Sequence, residues 1–205
     1  MSQSSPTSAS PKPRAQFWNR VQMILILVVF AAPIVAAFFY KPTKFNNYGD
    51  IYQPVRPVAN LQMQGVDGPV EMDSLRHQWV FLVVADGECN ADCEGNVLKT
   101  RQLRFMQNND MSRIRTVFIH TNLSADQATD LAAKYTPVET YAVEAEAYKK
   151  WTEILNIPDA PAEAQDDRFY IIDPAGNLMM SYPPSADPNL MKKDIKRLLK
   201  ASQIG

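Results

Sequence analysis

Much of what marks other protein classes is scarce in these 205 residues. Lys and Arg number 21 against 22 Asp and Glu. There is no cationic excess, and so no electrostatic case for a nucleic-acid partner. No glycine-rich loop is present to cradle a phosphate, and no Ser/His/Asp set suggests a hydrolase. Histidine occurs only as His77 and His120, cysteine only as Cys89 and Cys93. Acidic residues are missing from residues 1–20, and charge of either sign is missing from residues 21–40.

The last two absences set the amino-terminal organisation. Residues 1–20 are rich in Ser and Pro and cannot bury enough apolar surface to fold, so a disordered cytoplasmic tail is expected. Residues 21–40, VQMILILVVFAAPIVAAFFY, have the roughly 20-residue length that a helix needs to cross about 30 Å of hydrocarbon. They show none of the polar face of a core helix. Pro33 is tolerated in a spanning helix, and Trp18 and Tyr40 flank the stretch where aromatic rings favour the interface. One uncleaved span in contact with a lipid bilayer is the expectation. Lys12, Arg14 and Arg20 precede it and Lys41, Lys44 and Arg56 follow, so charge bias alone does not orient it. The acid-free tail favours a cytoplasmic amino terminus with the larger part outside.

Residues 41–59 read as a tether, stiffened by Pro42, Pro54 and Pro57 and turned at Asn46, Asn47, Gly49 and Asp50. A globular domain is expected over residues 60–205. In it, VANLQMQ alternates like an edge strand, and WVFLVVA is the continuous apolar run of a strand buried on both faces. A helix is expected from about 93 to 107, then the strand RTVFIH. Ser124 and Gln127 form a capping box ahead of ADQATDLAAKY. TYAV reads as a short strand and EAEAYKKWTEIL as a helix. RFYIID and LMMSYP flank the turn PAGN as a hairpin, and Asp187 with Pro188 opens a closing helix. This order is an α/β plan. It places both cysteines where the first buried strand hands over to its helix, the edge at which ligands of α/β sheets gather.

Three chemistries remain open for the C-x-x-x-C pair. For redox work, Cys93 stands at a helix amino terminus, whose dipole favours a thiolate; Asp86, Glu88, Asp92 and Glu94 oppose it. For metal, two thiolates suit Cu(I), and His120, ending the next strand at the same edge, is the candidate third ligand beside Cys89 and Cys93. His77 precedes the first buried strand and falls at its other end, about 20 Å away at ~3.3 Å per residue. For a structural disulfide, a loop this short stabilises little. Of Met179 and Met180 one is expected to pack and one to be exposed on a strand, Trp79 and Trp151 read as core or edge residues, and the lysines and arginine of the closing helix read as a solvated face with Leu198 and Leu199 inward.

VFLVVADGECNADC, RTVFIHTN and RFYIIDPAGNL, together with the single span, resemble the Sco/SenC family of the thioredoxin-like fold over about residues 75–204. NYGDIYQPVRP and the Arg101, Gln102, Arg104 set resemble Sco-like membrane proteins encoded among bacterial oxidase assembly genes. The resemblance implies a thioredoxin-like mixed sheet with flanking helices, preceded by one transmembrane helix. It implies a membrane-anchored protein assisting cytochrome c oxidase assembly, acting by thiol–disulfide exchange on a copper-site partner or by Cu(I) delivery. Cys89 would then be the attacking thiol and Cys93 the resolving one. An oxidase subunit or copper chaperone would be the partner, and the carboxyl-terminal domain would lie in the periplasm, anchored in the bacterial inner membrane. Where the family carries Pro after the second cysteine this chain has Glu94. Gln165 stands at the position of the family's copper-binding histidine, and Arg168 near that of the thioredoxin cis-proline. The rival reading is a non-catalytic assembly or scaffold protein with a structural disulfide.

Overall fold

A computed structural model describes residues 13–39, 47–58, 60–87, 89–157 and 167–202. Most of the expected tail, Glu88, and Gln165 with its expected ligand position lie outside the described residues. The chain divides into two units, Met1–Asn46 and Asn47–Gly205.

The first unit holds one helix, α1 (Pro13–Phe39). Within it, Phe17–Phe39 is long and apolar enough to cross a membrane. Large apolar side chains are exposed all along it, including Leu27, Phe30, Ile34 and Phe38. A helix that is apolar on every side is suited to lipid.

The second unit is built on one eight-stranded mixed sheet in the order β1 (Asp50–Pro57), β8 (Asn177–Tyr182), β7 (Phe169–Ile172), β4 (Trp79–Asp86), β5 (Ile114–Thr121), β6 (Glu139–Ala142), β2 (Gln62–Gly65), β3 (Gly68–Glu71). At its centre β4 (Trp79–Asp86) runs parallel to β5 (Ile114–Thr121), which runs parallel to β6 (Glu139–Ala142). On the other side of β4, the hairpin β7 (Phe169–Ile172) and β8 (Asn177–Tyr182) adds antiparallel strands. Side chains of β4 alternate between two cores. Trp79, Phe81, Val83 and Ala85 enter one with residues of α2 (Ala91–Phe105), the end of α3 (Ala125–Tyr135) and α5 (Pro188–Ala201). Val80, Leu82 and Val84 enter the other with Trp151 and Leu155 of α4 (Ala145–Leu155). Burial on both faces is why this strand has no polar alternation. Each fully buried aliphatic or aromatic side chain contributes about 1.5–3 kcal/mol of transfer free energy.

The helix starts follow the sequence closely. Ser124 accepts from the Gln127 amide while the Gln127 side chain accepts from the Ser124 amide. Asp187 caps α5, with Pro188 in its first turn. Trp79 and Trp151 are core residues, as are Met180 and Leu199, while Met179 and Leu198 are partly buried against that core.

The stretch expected to be a tether departs from that expectation. Asp50–Pro57 is strand β1, paired antiparallel with β8 at the sheet edge through a register shift between Ile51 and Arg56. An edge strand at an irregularity can accept Pro54 and Pro57, which have no amide to give the ladder. Tyr52 is buried and donates to the Leu155 carbonyl at 2.6 Å. The Asp194 carboxylate of α5, itself buried, accepts from the amides of Tyr48 at 2.6 Å and Gly49 at 3.1 Å. At the opposite edge, the expected strand is half of a hairpin of β2 (Gln62–Gly65) and β3 (Gly68–Glu71).

Candidate functional site

The cysteine loop begins where β4 ends. Gly87 turns the chain with φ +80°, a conformation that suits glycine. Its amide donates to Thr121 Oγ1 at 3.2 Å. The Thr121 hydroxyl donates in turn to Asp86, and the Asn122 side-chain amide reaches the same carboxylate at 3.4 Å. These bonds fasten the cysteine loop to the loop that follows β5.

Cys89 and Cys93 form a disulfide with a Cα–Cα distance of 5.3 Å. Asn90, between them, is the N-cap of α2, and its Oδ1 accepts from the Cys93 amide at 2.8 Å. Cys93 therefore lies in the first turn of the helix. The two sulfurs differ in surroundings. Cys93 is 1% exposed and packs with Ala85 and Val97 in the core, whereas Cys89 is only partly buried against it. Once reduced, Cys93 gains from the positive end of the helix and loses from burial. Glu94, the nearest following acid, is bonded by the Lys134 ammonium at 3.0 and 3.1 Å, and that bond holds its carboxyl below the ordinary value.

Cys89 lines an open groove of about 320 Å³ shared with Leu123, Gln127, Asp130, Leu131 and Lys134. Five of these six residues belong to α3 and the turn before it. Sequence reasoning missed them, because the amphipathic pattern of ADQATDLAAKY says that one face packs but not that its margin borders a sulfur.

His120 is brought to the same edge of the sheet. It pairs with Ala85 in the β4–β5 ladder, and its ring lies 5.8 Å from that of Phe118. It is 1% exposed, and its Nδ1 has no hydrogen-bond partner among the described residues. Burial pushes its pKa below the ordinary value and so favours the neutral imidazole. Among the described residues no group of three His, Cys, Asp or Glu side chains is disposed to hold a metal ion. His77 precedes β4, at the far end of that strand from the cysteines, as its position in the sequence requires.

Arg168 does not stand in for a proline against the disulfide. Its buried guanidinium donates to Ser181 on β8 at 3.1 Å and pairs with Asp50 on β1. Its neighbour Asp167 takes the contact with the cysteine helix. The Asn90 Nδ2 donates to Asp167 Oδ2 at 2.7 Å, and the Asn96 side-chain amide donates to the Asp167 carbonyl. Asp167 sits at φ +47°, and the Asn96 Oδ1 is buried without a partner among the described residues.

The fold carrying this site is shared with known structures. The solution structure of apo Sco1 from Thermus thermophilus is 15% identical, with a TM-score of 0.57 over 78% of this chain and 98% of that one. Copper-bound Sco1 from yeast is 13% identical, with a TM-score of 0.60 over 73% and 95%. The thioredoxin domain of a thiol-disulfide oxidoreductase from Bacteroides vulgatus is 10% identical, with a TM-score of 0.51 over 70% and 95%. No curated protein matches the chain in sequence. Residues 79–202, from the first residue of β4 to just past α5, match the family described as transmembrane-like, thioredoxin-like, C-terminal domain. With its apolar amino-terminal helix and its thioredoxin-like sheet, the chain belongs to that family.

Proposed function

We propose that this is a membrane-anchored, Sco-like protein that assists cytochrome c oxidase assembly by thiol–disulfide exchange at Cys89–Cys93 on a copper-site partner. The observation that carries the reading is the asymmetry of the pair. Cys89 borders an open groove, while Cys93 is buried in the first turn of α2. An exchange centre needs one sulfur open to a partner and one held back to resolve the mixed disulfide. A purely structural disulfide closing so short a loop adds about 2 kcal/mol by the chain-entropy relation, and such a bond has no use for a groove at one sulfur. The anchor would be the apolar helix. The domain would face the periplasm from the bacterial inner membrane, a placement supported by the acid-free amino tail.

A second reading, Cu(I) as cargo, is favoured by His120. Its neutral imidazole with an unpartnered Nδ1 is on the strand beside the one that leads to the cysteines. Two thiolates and an imidazole are donors that suit Cu(I), and the thiolates exist only once the disulfide is reduced.

The test is trapping in living cells. Cys93→Ser removes the resolving thiol and should accumulate a mixed disulfide between Cys89 and its partner, identifiable by mass spectrometry; Cys89→Ser should accumulate none. Failure of both variants to trap any protein, with the wild-type pair inert to dithiothreitol, leaves the scaffold reading in place. Reporters fused after Gly205 locate the domain: a periplasm-active reporter should work, and a cytoplasm-only reporter should fail.

A further inference from the structure

The groove beside Cys89 has a composition that restricts what can enter it. Its apolar part is Leu123 and Leu131, both packed against the core, and its rim is Gln127, Asp130 and Lys134. At about 320 Å³ it has room for an amino-acid side chain as well as the reacting sulfur. The chain nearest the cysteines is acidic: Asp92 and Glu94 come from the first turn of α2, Asp126 and Asp130 lie one turn apart on α3, and Asp86 ends β4, whereas the cations of α2, Lys99, Arg101 and Arg104, come later along that helix. Lys134, the one cation lining the groove among the described residues, is already engaged by Glu94. The Asp130 carboxylate has no ion-pair partner among the described residues. Anionic thiols therefore approach Cys89 against a negative field, whereas cationic ones approach with it.

Resting on the reading of Cys89–Cys93 as an exchange centre, we propose that this groove selects its partner as a polypeptide cysteine flanked by an apolar side chain and a basic one. The apolar neighbour lies on Leu123 and Leu131, and the basic neighbour meets Asp130. With a partner dithiol the chemistry balances. The first partner thiolate attacks Cys89 Sγ and forms a mixed disulfide. The Cys89–Cys93 bond breaks, and Cys93 leaves as a thiolate that takes up a proton. The second partner thiolate then attacks the partner sulfur of the mixed disulfide and releases Cys89. The partner has lost two electrons and become a disulfide, and the pair has gained them. In reverse the same steps reduce a partner disulfide. Glutathione is anionic and has no large apolar side chain, so it fits neither element.

The test uses the full chain in neutral detergent with its disulfide formed, and short reduced synthetic peptides holding one cysteine each. The residues flanking that cysteine are Leu and Lys, Ser and Lys, or Leu and Glu. The rate of disulfide loss is read by acid quench and mass spectrometry. It is divided by each peptide's rate with neutral hydroxyethyl disulfide, which removes differences in intrinsic thiol reactivity. The Leu/Lys peptide is expected to be about tenfold faster than either other peptide, and its lead over Leu/Glu should shrink at high salt, where exposed charges are screened. Asp130→Lys, an exposed change, should reverse the order of Leu/Lys and Leu/Glu. Equal normalised rates for the three peptides overturn the groove's selectivity while leaving the exchange centre intact. A disulfide that not even dithiothreitol reduces overturns the exchange reading, and this one with it.

Discussion

The Asn90 side chain joins the two cysteines' own turn to Asp167, two residues ahead of the last hairpin: its Oδ1 accepts from the Cys93 amide, and its Nδ2 donates to Asp167 at 2.7 Å. One amide thus holds both the helix start and the chain entering β7. Asn90→Ala should lower stability by about 1–2 kcal/mol, the usual cost of a lost cap, or a few degrees in Tm. Asn90→Asp keeps the capping oxygen but sets a second carboxylate against Asp167, so it should recover only part of that loss. Thermal unfolding of the two variants beside wild type decides this; full recovery in Asn90→Asp would show that the Asp167 contact contributes nothing.

Unequal exposure of the two sulfurs leads to unequal chemistry. After reduction, Cys89 should be alkylated by iodoacetamide at least about tenfold faster than Cys93, since only the former borders the groove. Timed quenching and peptide mass spectrometry separate the two sites. Slow labelling of both at one rate would mark them as buried structural thiols.

Copper is tested by anaerobic titration of Cu(I) against a chromogenic competitor. The oxidised chain should bind none. The reduced chain should bind through its two thiolates, and Cys89→Ser should abolish binding. His120→Ala should weaken it about tenfold, or ~1.4 kcal/mol. No change on removing the imidazole would leave a bare dithiol and strengthen thiol exchange as the sole activity.

His120 also makes the fold sensitive to acid. Its pKa is depressed by burial, so below about pH 6.5 the unfolded chain takes up a proton that the folded chain refuses. Its contribution is therefore present above that pH. It is lost as pH falls from the unfolded value toward the depressed folded one. His120→Gln should flatten the fall in stability as pH drops below about 6.5, measured by denaturant unfolding at each pH. An identical slope in the variant would show that other groups dominate.

Gly49 is held at close quarters. A Cβ there would meet a ring carbon of Tyr182 at 2.5 Å and the Met180 sulfur at 2.8 Å. Tyr182 is buried and cannot swing clear. Gly49→Ala should therefore cost about 1–3 kcal/mol, as overpacking does, and read out as a lowered Tm. A wild-type Tm would mean that the segment ahead of β1 does not lie against β8 in solution.

The central layers were legible because local signals agreed with the whole. An unbroken apolar run made β4, Ser124 with Gln127 opened α3, and Asp187 with Pro188 opened α5. The edges were not legible. Pro54 and Pro57 read as linker residues, and only the sheet partner β8 makes a strand of them. The Val66–Asp67 turn with Gly68 at φ +127° was a hairpin signal that went unused. The site divides in the same way. Cys89, Cys93 and the position of His120 follow from strand ends. The groove needs the packing of α3 against α2, and the Asp167 contact joins residues 77 positions apart. Arg168 stands near the position of the family's cis-proline, and its length and charge carry it to Asp50 and Ser181.

Strand β1 also settles where the second unit can be cut. A fragment beginning at residue 60 lacks β1, leaving the backbone groups of β8 unpaired and Tyr52's place in the core vacant. A bare strand of this kind is a template for pairing with another copy, so that fragment should assemble into aggregates. A fragment beginning at Asn47 retains the strand, with Tyr48 and Gly49 seated on Asp194, and should remain monodisperse.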